Sequence, residues 1–162
     1  MSARRETLVL CLGNDLRADD GVAWRVAERL ETAPPCGAIV RKTARSGAYL
    51  LDDLVEFTRV VVVDAVRTRT HPPGDVFGLP IEALEGEPAA SPHHIGLPRI
   101  LRIGREYGLA VPTHMTVVAI EIADVETVGA GLTPAVAAAV PRAEALVRAL
   151  VASTPRERRG RP

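Results

Sequence analysis

The chain has 162 residues, of which 47% are hydrophobic and 25% are charged, and its formal net charge is zero. This is the composition of an ordinary soluble globular protein that is long enough to bury one complete core. It argues against a nucleic-acid-binding protein, which would present a basic face, and no apolar run is long enough to cross a membrane. Because no signal-peptide segment precedes the first apolar run, we expect a cytoplasmic protein with neither nucleic acid nor a membrane as its partner.

Strands and helices are predicted to alternate along the chain. Short apolar or β-branched runs that end at glycine, proline or acidic residues predict strands at residues 7–12, 38–42, 59–66, 75–79 and 111–122. Helix-like apolar spacing, or a helix-start signal, predicts helices at residues 20–31, 48–56, 91–107 and 134–150. Serine or threonine followed by proline marks two of the helix starts, at Ser91 and at Thr133. Proline is expected to interrupt the third helix at Pro98 and to kink the last at Pro141.

This order of elements predicts an α/β fold with a mostly parallel sheet of about five strands, covered by helices on both faces. The link from Asp64 to Asp75 is too short for a crossover helix, so the fourth strand is predicted to be antiparallel. We expect a single α/β domain over residues 1–154. The charged segment at residues 155–162 has no apolar anchor and is expected to be a disordered tail.

Acidic residues gather where two of the predicted strands end. Asp15, Asp19 and Asp20 follow the break of the first strand at Gly13, and Asp64 closes the third strand. The carboxyl ends of parallel strands form the edge at which open α/β proteins bind ligands, and consecutive strands usually lie side by side. We therefore expect both acidic segments at one edge, where carboxylates attract metal ions or polarised water.

Histidines are predicted at the start of the third helix, since His93 and His94 follow Ser91 and Pro92. The positive end of a helix dipole favours the neutral imidazole, which is the form that binds metal. Together with Asp20 and Asp64, His93 would suit a divalent ion such as zinc or nickel with open positions left for substrate. Each residue also has an ordinary explanation, because Asp20 could cap a helix, Asp64 could form a turn and His93 could simply be solvated.

Other types of site are not supported by the sequence. No G-x-G-x-x-G sequence follows the first strand, and no P-loop is present. A small-molecule hydrolase with a serine nucleophile is disfavoured, because the chain has no G-x-S-x-G sequence.

At these residues the chain resembles the hydrogenase maturation endopeptidases. The resemblance runs from Leu8 to about Leu150 and is carried by four short motifs in the family's order, 12–14 through 19–21, 63–65, 91–93 and 131–134. It implies a three-layer α/β/α fold. It also implies a peptide hydrolase that removes a C-terminal extension from the precursor of the nickel–iron hydrogenase large subunit.

The resemblance further implies which residues meet the metal. Family members act after nickel has been inserted, and the positions that match their metal contacts are Asp20, Asp64 and His93. Nickel would then be supplied by the substrate, with no organic cofactor. Asp20 and Asp64 are also the expected catalytic residues. From the chemistry alone, apart from the resemblance, Asp15 or Asp19 is a candidate to position water. A site that docks onto a metal carried by another protein should be partly exposed, so we expect exposure of Asp20, Asp64 and His93.

One loop departs from the family pattern. Where the family often has an Asp-Gly-Gly-Thr type of loop, this chain has residues 42–47, of which only Gly47 clearly matches. Lys42 and Arg45 would weaken the binding of a cation if they lay near the site. A non-catalytic metal-binding assembly factor for the same precursor therefore remains an alternative, which turnover of the precursor would separate from a protease.

Overall fold

A single five-stranded sheet organises the structure. The computed structural model describes residues 5–84 and 96–153. The strands are β1 (Arg5–Leu12), β2 (Ala38–Thr43), β3 (Phe57–Val66), β4 (Val76–Pro80) and β5 (His114–Glu121), and they lie in the order β2-β1-β3-β5-β4. Neighbouring strands are parallel except for β4, which is antiparallel to β5 at the edge. The predicted mostly parallel sheet of about five strands, with an antiparallel fourth strand, is confirmed.

Helices cover both faces of this sheet. They are α1 (Val22–Thr32), α2 (Leu51–Leu54), α3 (Leu97–Glu106) and α4 (Pro134–Ala152). The residues of β3 point alternately to the two faces. Val61 and Val63 pack in one apolar core with α1 and α4, whereas Val60 and Val62 pack in a second core with α2 and α3. The result is the three-layer α/β/α sandwich that the resemblance implied.

Several helix starts differ from their predictions. A short 3₁₀ helix at Ala18–Gly21 precedes α1, and another at Gly47–Leu50 precedes α2. α3 starts at Leu97 after Gly96, whose φ of 71° lies in the left-handed region. The prediction that Pro98 interrupts a helix is wrong, because Pro98 lies in the first turn, where the missing N–H would have no partner within the helix.

Some predictions fall on residues that the structure does not describe. The predicted helix start at Ser91 and Pro92, together with His93 and His94, belongs to residues 85–95, and the predicted tail belongs to residues 154–162. The last helix continues as one element through Pro141, and its kink stays a prediction. Within residues 5–84 and 96–153, none of the helices combines the length and the apolar character that a membrane span needs.

A cluster of charged side chains joins α1 to α4. Arg29 Nε donates to Glu144 Oε2, and Arg148 Nη2 donates to Glu144 Oε1 at 2.9 Å. The hydrogen bond from Arg29 is the largest cause that holds the pKa of Glu144 below its ordinary value. Glu144 therefore links the folding free energy to pH.

Replacing Glu144 by glutamine should lower the melting temperature at pH 7 by about 2–4 °C, equivalent to about 1 kcal/mol for a partly exposed ion pair. Because the folded-state pKa is depressed, this stabilisation is complete above the unfolded-state pKa, about 4.3, and is lost as the pH falls through the folded-state value. Thermal unfolding between pH 7 and pH 3 should show the two proteins converging in acid. Glu106→Gln, at the exposed end of α3, is the control, and a pH-independent gap for Glu144→Gln would contradict the prediction.

Candidate active site

The carboxyl ends of β1 and β3 lie side by side at one edge of the sheet. The two strands pair in parallel with Cys11 opposite Val63, so Asp64 follows directly on the β3 side. β1 ends at Leu12, and the 3₁₀ helix that carries Asp20 contacts β3. Both acidic segments therefore lie at the same edge of the sheet, as predicted.

Asp64 is completely buried, with 0% of its surface exposed. It lies two residues inside the end of β3, which continues to Val66, and it is paired with Ala119 of β5. Strand alternation places its side chain on the face that carries Val62 and Val66, which is covered by α2 and α3. The expectation that Asp64 is partly exposed is wrong, because a residue within a central strand is covered by the helix layer, whereas a residue in the loop beyond would not be.

Asp20 is partly exposed, as expected, and its backbone is held tightly. Its N–H donates to the carbonyl of Arg17 at 2.8 Å, and its carbonyl accepts the N–H of Asn14 at 3.2 Å. A Cβ atom on Gly13 would lie 2.3 Å from the Asp20 carbonyl oxygen, so only glycine allows this approach. Gly21, not Asp20, is the N-cap residue of α1, so capping does not explain Asp20.

Asp19 is fully buried, and its carboxylate binds the loop that follows β5. Its Oδ2 accepts the N–H groups of Ala123 at 3.1 Å and Asp124 at 2.9 Å, as well as the hydroxyl of Thr133 at 3.1 Å. Its Oδ1 accepts the N–H of Thr133 at 2.7 Å. Both oxygens of Asp19 thus accept protein donors, which favours the exposed Asp15 over Asp19 as the residue that positions water, and that role stays a prediction.

Thr133 occupies the predicted N-cap position of α4, and Pro134 the first helical position. Its hydroxyl makes no capping hydrogen bond to the helix and donates to Asp19 instead. No sequence pattern links these two residues, which lie 114 positions apart. Their contact is therefore a feature that sequence reasoning missed.

A third buried carboxylate at this edge was not predicted from the sequence. Glu121, at the end of β5, is only 1% exposed. Its Oε2 accepts the hydroxyl of Thr68 at 2.7 Å, and its Oε1 accepts the N–H of Arg69 at 2.9 Å. Glu121 therefore holds the loop after β3. The hydrophobic pattern did not predict its burial, because Glu121 is a charged residue that follows a run of apolar residues in β5.

The two cations of the divergent loop have acidic partners. Lys42 Nζ lies 3.7 Å from Glu31 Oε2, and Arg45 Nη1 lies 3.4 Å from Asp53 Oδ2. A paired cation projects less positive potential than a single one. The expected weakening of cation binding by this loop is therefore reduced.

The complete set of predicted metal contacts is not covered by the structure, because His93 lies outside the described residues. Among residues 5–84 and 96–153, no three His, Cys, Asp or Glu side chains are grouped so that they could hold a metal ion. The set of Asp20, Asp64 and His93 stays a prediction.

Comparison with known proteins identifies the family. Residues 43–149 match the family described as hydrogenase maturation protease, HycI. The hydrogenase 2 maturation protease of Escherichia coli strain K12 is 30% identical over 159 residues, which cover 93% of this chain and 96% of the relative. This chain belongs to the hydrogenase maturation protease family. It is therefore a peptide hydrolase, and the enzyme class implied by the resemblance is confirmed.

Two further proteins support the assignment to the hydrogenase maturation proteases. The hydrogenase expression/formation protein HupD of Rhodobacter capsulatus is 33% identical over 135 residues, and the match covers 80% of this chain and 63% of the relative, which is less than two thirds of its length. The hydrogenase maturating endopeptidase HybD from Escherichia coli has a similar structure, with a TM-score of 0.77 and 29% identity over 91% of this chain and 92% of that one.

The buried contacts at this edge connect motifs of the family. Of the four motifs that carry the resemblance, those at residues 12–21, 63–65 and 131–134 lie in the described part of the chain. The pairing of β1 with β3 joins the first of them to the second, and the hydrogen bonds of Asp19 join the first to the last. Three separate motifs of a hydrogenase maturation protease are thus held at one edge of the sheet.

Proposed function

We propose that this protein removes a C-terminal extension from the precursor of a nickel–iron hydrogenase large subunit after nickel has been inserted. The proposal is supported by family membership and by one observation above all. Two carboxylates of the family motifs, Asp20 and Asp64, lie at the same sheet edge, one of them partly exposed and the other buried.

In this proposal nickel is part of the substrate and is not a resident cofactor of the enzyme. Asp20 is the expected first contact for a metal presented by another protein, because its side chain is partly exposed. Asp64 is buried, so the side chains around it have to move before it can meet the metal. A carboxylate that has already left water interacts more strongly with a cation, which favours this second contact. His93 is the third expected contact.

The proposed chemistry is hydrolysis of one peptide bond. The precursor's metal would polarise the peptide carbonyl or a water molecule, and a neighbouring carboxylate would accept the proton of the attacking water. The same proton would then pass to the leaving amine. We assign this acceptance and transfer of the proton to Asp20 and Asp64.

The direct test uses the hydrogenase large-subunit precursor encoded nearest to this gene. Purified enzyme is incubated with the precursor in nickel-loaded and nickel-free form, and the mobility of the precursor is followed on a gel against a marker without the extension. We expect shortening of the nickel-loaded form only. Equal cleavage of both forms would contradict recognition of nickel, and stable binding without cleavage would favour the non-catalytic assembly factor.

A further inference from the structure

Asp19 fixes the backbone on which Asp20 is carried. Its side chain accepts four hydrogen bonds from Ala123, Asp124 and Thr133, and its own N–H donates to the carbonyl of Asp124 at 3.0 Å. Both the side chain and the backbone of this one residue are therefore attached to the segment between β5 and α4. Because Asp19 is fully buried, water does not compete for these hydrogen bonds.

We propose that Asp19 is a positioning residue for Asp20 in the cleavage reaction, an inference that rests on the proposed function. With Asp19 anchored, the N–H and the carbonyl of Asp20 are held by Arg17 and Asn14. The carboxylate of Asp20 can then move only by rotation about its own side-chain bonds. An anchored backbone keeps a reacting group near its productive geometry.

Ala18, directly before Asp19, has a backbone conformation that alanine disfavours, so the surrounding contacts have to hold it in place. Ala18 has a φ of 25°, a positive value that residues with a Cβ atom rarely adopt. Such a conformation persists only where its surroundings determine it. Arg17 forms a bridge with Val128 on one side of Ala18, and the Asp19 hydrogen bonds hold the other side. Loss of the Asp19 anchor should let Ala18 relax and carry Asp20 with it.

The chemistry of the donors requires a carboxylate at this position. All the partners of the Asp19 side chain are N–H or O–H donors, and an ionised carboxylate is a pure acceptor. The negative charge also lies beside Thr133 at the N-terminus of α4, where the helix dipole favours an anion. Asparagine has nearly the same shape, but its NH₂ group would face at least one of the donors.

Glu121 provides a matched control. It is also a buried carboxylate at this edge, and it also accepts a backbone N–H and a hydroxyl. Its side-chain hydrogen bonds go to Thr68 and Arg69, after β3, and not to the turn that carries Asp20. Glu121→Gln should therefore loosen a loop without moving Asp20.

The test combines kinetics with amide hydrogen exchange measured by mass spectrometry. In Asp19→Asn we expect faster exchange in residues 14–21 and 123–133, and a fall in kcat for the nickel-loaded precursor of about tenfold or more, with KM within about twofold. In Glu121→Gln we expect faster exchange in residues 67–75 and a kcat within about twofold of the wild type. Both variants are assayed well below their melting temperatures, so that the folded protein is compared.

A wild-type kcat in Asp19→Asn, or an equal loss of kcat in both variants, would overturn the positioning role. Failure of the wild-type enzyme to cleave the precursor would instead overturn the proposed function. The exchange data would still decide the structural part, since unchanged exchange at residues 14–21 in Asp19→Asn would show that Asp19 does not hold this turn.

Discussion

Processing of the nickel-loaded precursor should be lost when Asp64 is replaced by asparagine. The rate should fall by at least about a hundredfold, the lower range for removal of a group that transfers a proton in the transition state. Asparagine keeps the shape of the side chain within β3 but removes the charge that meets a cation or accepts a proton. The measurement is the initial rate of precursor shortening at a fixed enzyme concentration.

The burial of Asp64 determines the controls of this experiment. Substitutions of surface residues usually leave the stability of a protein nearly unchanged, but Asp64 is 0% exposed, so its replacement can also destabilise the fold. The folded fraction of each variant is therefore measured by circular dichroism. Asp75→Asn is the matched substitution, because the Asp75 side chain is 46% exposed and lies only 3.4 Å from His71, in a weak surface pair. Full processing by well-folded Asp64→Asn would exclude Asp64 both as a metal contact and as a proton acceptor.

Gly13→Ala should reduce both stability and processing. The added Cβ atom would lie 2.3 Å from the carbonyl oxygen of Asp20, a backbone atom that cannot rotate away. Overpacking costs about 1–3 kcal/mol, and a clash with backbone belongs at the upper end, so we expect a melting temperature lower by about 6–12 °C. The hydrogen bond between Asn14 and Asp20 should break, which displaces Asp20 from the edge.

Gly78→Ala is the control for this substitution. A Cβ atom there would meet nothing closer than Leu146 Cδ2 at 3.8 Å and the Val117 carbonyl at 4.0 Å, which are ordinary contacts. Its melting temperature and its processing should stay close to those of the wild type. A Gly13→Ala protein that unfolds and processes like the wild type would show that the turn can be rebuilt without this close approach.

Local patterns predicted the central strands well. The run of four valines at 60–63 predicted a strand buried on both faces, and β3 contains all four with none of their surface exposed. The short link between β3 and β4 was also informative, since it leaves no room for a crossover helix, and the two strands run in opposite directions on either side of β5. These features follow from the chain over a few neighbouring residues, which is why a sequence alone predicts them.

Helix starts were predicted less well, because a residue such as proline is found both in the first turn of a helix and at a break within one. Pro98 was expected to interrupt a helix and instead lies in the first turn of α3. Proline is tolerated in the first turn of a helix but breaks the interior of one, so its effect depends on where the helix begins. Here the start of α3 depends on the packing of Leu97 and Leu101 in the core.

The sequence by itself determined the fold class, because strands and helices alternate along it, and the family, because four short motifs stand in the family's order. It also determined the edge at which the acids lie, because they follow or end strands that were expected to run parallel. Only the tertiary structure decided what each acid does there. Asp19 and Asp20 are chemically identical neighbours, yet one is sealed among four donors from a loop more than 100 positions away, and the other is partly exposed. Burial and hydrogen-bond partners depend on distant segments that meet only in the folded chain, so no local pattern carries them.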